Sequence, residues 1–127
     1  MFTYSPNLWL VLAVAVVGVL IHLIWYGERG FGRVRAALTG QAAGRNLVAL
    51  GLSLLVEGYV VAHMVYYVGA YNWVEGLQTG WWLWLGFVAT ILTITAVLNG
   101  QRFRLWLIDA GYQLIVLLVM AALLASW

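Results

Sequence analysis

Six side chains in this sequence have the chemistry of a site, and all of them sit in apolar surroundings. Glu57 stands in SLLVEGYVV, His22 in GVLIHLIWYG and His63 in VVAHMVYY. Asp109 stands in RLWLIDAGYQL, with Tyr112 and Gln113 three and four residues further on. A carboxylate in such a run can relay a proton, pair with a cation or clip two helices together. An imidazole there can accept a proton, or hold haem or a pigment through a ring nitrogen, and His22 and His63 are the two candidates. Other chemistry is harder to find. The chain has no Cys, which excludes disulfides, thiolate metal sites and cysteine nucleophiles. Ser5, Ser53 and Ser126 have no base nearby in sequence, and nothing resembles a nucleophile elbow, a metal-binding His pair or a cofactor fingerprint. A metal site needs three or four converging ligands, and the sequence offers no such set. The expectation is a protein that is not an enzyme and holds no metal.

What must position these residues is a membrane. The 127 residues are 65% hydrophobic and 8% charged, where soluble domains carry roughly 25% charge. A spanning helix needs about 20 mostly apolar residues, and four segments qualify, at about 8–26, 46–68, 81–98 and 103–126. The fold class expected is therefore all-α: one polytopic transmembrane domain over 1–127, its four helices in an antiparallel bundle. The segment MFTYSPN has no basic residue, so the first run reads as a retained helix and not as a cleaved signal. A net charge of +2, scattered over loops, excludes a nucleic-acid surface.

The loops orient the bundle. GERGFGRVRAALTGQAAGR carries Arg29, Arg33, Arg35 and Arg45, and NGQRFR carries Arg102 and Arg104. The intervening GAYNWVEGLQTG carries only Glu75. Basic loops stay in the cytoplasm, so both termini are expected outside and the six arginines at inner-leaflet headgroups. Trp9, Tyr71, Trp73, Trp81, Trp82, Trp84 and Trp127 would form the outer aromatic belt, and Trp25, Tyr26 and Trp106 the inner one. In the first loop Phe31, Val34 and Leu38 recur at helical spacing, with Arg29 and Arg33 opposite. This predicts a short helix lying on the inner leaflet. Glycines 27, 30 and 32 read as helix breakers, since no strand precedes them and no Gly-Lys-Ser/Thr follows.

Depth follows from the ~1.5 Å rise per residue, which puts Glu57 ~17 Å into the second span and Asp109 ~9 Å from the inner side. An ionised acid at mid-membrane costs roughly 2.5–3.5 kcal/mol on insertion scales, so such groups seek partners inside the bundle. Asp109, Tyr112 and Gln113 share one helix face, and Gly18, Gly51, Gly58, Gly86 and Gly111 would let helices approach. The result expected is a polar seam of Glu57, Asp109, Gln113, Tyr112 and His22. Within it His22 pairs with Asp109, with Arg102 or Arg104 as competitors, and Glu57 is protonated and bonded to Gln113 or Tyr112. His63 lies one turn from Tyr59 and Tyr67, which predicts an interfacial aromatic cluster.

Two stretches carry a resemblance. Residues 80–127, GWWLWLGFVATILTITAVLNGQRFRLWLIDAGYQLIVLLVMAALLASW, resemble the C-terminal half of the family called domain of unknown function 1761, above all at LGFVAT and LWLIDAGY. WYGERGFGR (25–33) is similar to the family's Trp-Tyr, polar link, Phe-Gly and basic residue. The resemblance implies a small four-helix bacterial membrane protein and brings no biochemical activity with it. It also implies departures: Asp109 stands where members usually have Asn, Gln113 where His is common, and Asn99-Gly100-Gln101 where Glu-Gly-Arg is typical. A position that accepts Asn or Asp needs hydrogen bonding more than a titrating charge.

The function expected is non-enzymatic: an accessory or structural subunit of a membrane complex, or a homo-oligomer, in the bacterial cytoplasmic membrane. Its partners would be lipids and other membrane subunits or further copies of itself. The alternative is a minimal proton-linked permease or channel with Glu57 and Asp109 in the helix seam. Pigment or haem binding through His22 or His63 is the third reading.

Overall fold

A computed structural model describes residues 4–41 and 46–127. Arg45, expected at the headgroups, lies outside them. The described residues form helices joined by short turns. Helix α1 is Leu8–Trp25, α2 is Gly32–Thr39 and α3 is Leu47–Val68. Helix α4, Trp73–Leu83, continues through a π-helical stretch at Trp84–Ala89 into α5, Thr90–Asn99, and α6 is Phe103–Ser126. The capping is regular. Asn7, Asn46 and Asn72 each accept a backbone N–H of the helix they open, satisfying donors that have no intrahelical partner. Gly40, Gly69 and Gly100 close α2, α3 and α5 at φ of 75°, 80° and 62°, where an L side chain is strained.

Four helices are long and apolar enough to cross a membrane: Leu8–Trp25, Leu47–Val68, Trp73–Asn99 and Phe103–Ser126. The third begins at Trp73, eight residues before the expected 81. Glu75, Gln78 and Thr79 dilute the apolar run there, so composition places the edge too late. Local capping overrides composition: the Asn72 side chain accepts from Glu75 N (2.9 Å), and the Glu75 carboxylate accepts from Tyr71 N (2.8 Å). Those two reciprocal bonds start the helix at the loop.

Helix α6 is the centre of the bundle, packed on α4, α1 and α3. Met120 and Val116 of α6 and Val14 of α1 are the largest fully buried side chains among the described residues. The tightest contact is with α4, which runs antiparallel. A Cβ at Gly76 would fall 2.5 Å from the Ala121 carbonyl oxygen, and one at Gly80 2.7 Å from that of Leu117. Backbone lies on backbone there, and only glycine permits it. The expected close approaches at Gly18, Gly58 and Gly111 correspond to contacts with Leu54, Val14 and Trp25. Those at Gly51 and Gly86 do not form, since both positions face open space.

Helix α5 stands apart. It has no buried residue, rests on α6 and the π-helical stretch, and leaves a gap toward α3. Only 6% of the best apolar window of the third span is buried, against 39% for α6. Trp84, like Gly76, Thr79, Gly80 and Ala89, is buried in this span. Expected in the outer belt, it is buried, because its indole N–H donates to the Ala110 carbonyl of α6 (2.9 Å).

Candidate functional site

Four of the six candidate residues, His22, Asp109, Tyr112 and Gln113, gather at the arginine end of the bundle. A reverse turn after α1 makes this possible. Phe31 N donates to the Trp25 carbonyl (2.7 Å), and Gly30 N and Gly32 N both donate to the Gly27 carbonyl. A side chain at Gly30 or Gly32 would collide with the carbonyls of Ile24 or Tyr26. The turn folds α2 back over α6, with Phe31 against Trp25 at 4.6 Å between centroids. Arg35, one turn beyond Phe31, is thereby aimed inward.

Its guanidinium donates through Nε to Asp109 Oδ1 (2.9 Å) and through Nη2 to Oδ2 (3.4 Å). The Tyr26 hydroxyl donates to the same Oδ1 (2.7 Å), and the guanidinium carbon lies 5.7 Å from the Tyr26 ring centre. The two charged side chains are 27% and 26% exposed, sheltered enough for the pair to be more than a surface contact. The hydrogen bond that Arg35 donates to Asp109, opposed by burial, raises the Arg35 pKa above its ordinary value. Asp109 is therefore a neutralised anchor that ties α2, the end of α1 and α6 together.

This corrects two expectations. His22 does not pair with Asp109, and Arg35, expected at the headgroups, has its guanidinium bound to Asp109. Arg102 and Arg104 are exposed and do not reach Asp109. Arg29 and Arg33 are exposed as well, and Arg33 approaches Glu28 at 4.0 Å. Instead of an ion pair, His22 has aromatic neighbours, Tyr26 at 4.7 Å and Tyr112 at 5.4 Å between centroids. Its buried Nδ1 has no hydrogen-bond partner among the described residues. Sequence reasoning missed Tyr26 and Arg35 as Asp109 partners. The available signal was the spacing of Phe31, Arg35 and Leu38, which puts Arg35 on the apolar face of α2.

Asp109, His22 and Gln113 line a cleft of about 340 Å³ with Tyr26, Arg35 and Tyr112. Leu92 and Gln113 also line a second cavity, of about 590 Å³, between α3 and the third span. Glu57 faces this second cavity. Its expected bonds to Gln113 and Tyr112 are not formed: Tyr112 donates its hydroxyl to the Gly18 carbonyl (3.0 Å), and Glu57 has no hydrogen bond or ion pair with the described residues. Met64 and Leu83 extend the series to a third cleft of about 500 Å³ at the far end, beside Glu75, Gln78 and Thr79. So the expected seam divides. Asp109, Tyr112, Gln113 and His22 share one cleft, while Glu57 belongs to the next.

His63 lies elsewhere, its ring 5.2 Å from that of Tyr4 and 4.6 Å from that of Tyr59, with Nδ1 2.9 Å from the Tyr59 carbonyl. His22 and His63 do not converge on a common point. Among the described residues no three His, Asp or Glu side chains cluster. What the arrangement offers is one locked ion pair, one unpaired acid and a run of adjoining clefts.

No curated protein and no solved structure matches the chain. The sequence model of one family, described as Protein of unknown function (DUF1761), matches residues 9–125, and the chain belongs to that family.

Proposed function

We propose that the protein acts without catalysis, by lateral association in a bacterial cytoplasmic membrane, as a subunit of a larger complex or as a homo-oligomer. The observation that supports this reading is the bareness of the third span, 6% buried in its best apolar window. Water does not drive helices together in lipid; close packing over small residues does. Gly86 faces open space and Thr90, one turn on, is exposed. The Thr90 hydroxyl is satisfied by the Gly86 carbonyl (2.8 Å) and that of Thr93 by the Ala89 carbonyl (2.7 Å). This face is therefore shallow and apolar in effect, suited to a partner helix. The excess of arginine in the first and third loops supports an orientation with the arginine end in the cytoplasm and both termini outside. Purification in mild detergent tests the reading: the chain is expected to elute with other polypeptides or as a multimer, and Gly86→Leu to release it at unchanged helix content. A lone monomer with no companions would sink the proposal.

A second reading, a minimal proton-linked permease, draws on the adjoining clefts, which share Met64, Leu83, Leu92 and Gln113 and follow one another from Glu75 past Glu57 to Asp109. Proteoliposome flux that is unchanged in Glu57→Gln removes it.

A further inference from the structure

The cavity beside Glu57 has properties that together define a ligand class. At about 590 Å³ it falls within the ~300–1,000 Å³ of small-molecule sites. Its walls are aliphatic, thioether and aromatic, among them Val60, Met64, Phe87 and Ile91, and Glu57 is the sole charged residue that lines it among those described. Val60, Phe87 and Ile91 on its rim are exposed, where α3 and α5 do not pack together, so the mouth opens between these helices. For spans lying in a bilayer, that mouth faces lipid.

An ionised carboxylate at this depth calls for a counter-charge, and among the described residues no cation lines the cavity. Arg35 is committed to Asp109 at the neighbouring cleft, and of the other described arginines Arg29 precedes α2, Arg33 lies in α2, and Arg102 and Arg104 stand at the start of α6. A second copy of the chain would have the same deficit among these residues. A metal ion such as Ca²⁺ needs six or more oxygen ligands, and only Glu57 and Gln113 offer side-chain oxygens here. The neutral form of Glu57 needs no counter-charge; the ionised form takes one from a ligand, and the lining requires that ligand to be apolar elsewhere.

We propose that the Glu57 cavity binds a lipophilic organic cation, an ammonium or phosphonium centre carried on an apolar body and taken from the bilayer. The carboxylate supplies the charge contact, the Phe87 face a cation–π surface and the aliphatic wall the rest. The site is separate from the Gly86 face and stands whether or not that face carries a partner.

Calorimetry on the full chain in detergent tests this, with tetraphenylphosphonium as probe and tetraphenylborate, of the same shape and opposite charge, as control. The phosphonium is expected to bind saturably and the borate not. Glu57→Gln is expected to weaken the phosphonium by about thirtyfold or more, the loss that follows removal of one partner of a desolvated charge pair. Ile91→Trp, which fills the cavity and leaves the carboxylate in place, is expected to abolish binding and gives the answer should Glu57→Gln fail to fold. Equal binding of the two ions overturns the proposal. So does wild-type affinity in both variants, or a chain that is multimeric through this cavity and binds no phosphonium.

Discussion

Asp109 accepts three hydrogen bonds from two residues far away in sequence, and the test of its role is what happens when the acceptor changes. Asp109→Ala leaves the Arg35 guanidinium partly buried without a partner, a loss of about 1–3 kcal/mol. It is expected to lower the thermal midpoint in detergent markedly. Asp109→Asn keeps one oxygen for Tyr26 and Arg35 and is expected to fall between the two; equal midpoints for Asn and Ala would mean that the hydrogen bonds contribute nothing. The sequence made Asp109 conspicuous and made its partner hard to see. An aspartate among apolar residues is visible at once. Its partner depends on a turn, set by Gly30 and Gly32, that swings Arg35 across from another element. Glu57 shows the converse. Its depth could be read from the span edges, but whether it met a partner depended on which way α5 leans.

At the level of helices, two glycines of the same type carry opposite expectations. Gly80→Ala drives a Cβ into the Leu117 carbonyl at 2.7 Å and separates α4 from α6, at a cost of about 1–3 kcal/mol. Gly51→Ala meets nothing within 4 Å and gains the helix preference of alanine, about 0.5–1 kcal/mol. Midpoints of the two variants on either side of the wild type are the expected result. Helix ends at Leu8, Leu47, Phe103 and Ser126 were legible because apolar runs there start and stop sharply. The start at Trp73 was not, since the polar first turn of α4 is stabilised by capping and by contact with α6, and neither is written in hydropathy.

For the molecule as a whole the open question of physics is which way it faces. The chain has no cysteine, so single cysteines placed at Tyr71 and Gln101, both exposed, report topology without background. Arginines flank the second site and only Glu75 is near the first. An impermeant thiol reagent added to intact cells is expected to label Tyr71→Cys and spare Gln101→Cys; the reverse pattern would mean that loop charge does not set this orientation. The number of spans was legible from composition alone. The unequal share of packing among them was not, because lipid-facing and protein-facing surfaces are both apolar, so neither face of a span stands out in the sequence.

The π-helical stretch at Trp84–Ala89 bears on how this chain tolerates changes of length. A π turn holds one residue more than the α turn it replaces, which is the form a single-residue insertion takes when the helix is anchored on both sides of it. Here α4 is anchored by its glycine contacts with α6, and α5 ends at the Gly100 turn. Removing one residue between Trp84 and Ala89 restores an unbroken α-helix and leaves the segments on either side facing as before. Ile91 then stays at the Glu57 cavity while Gly76 and Gly80 keep their places. A relative one residue shorter at this point would keep both the bundle and the pocket.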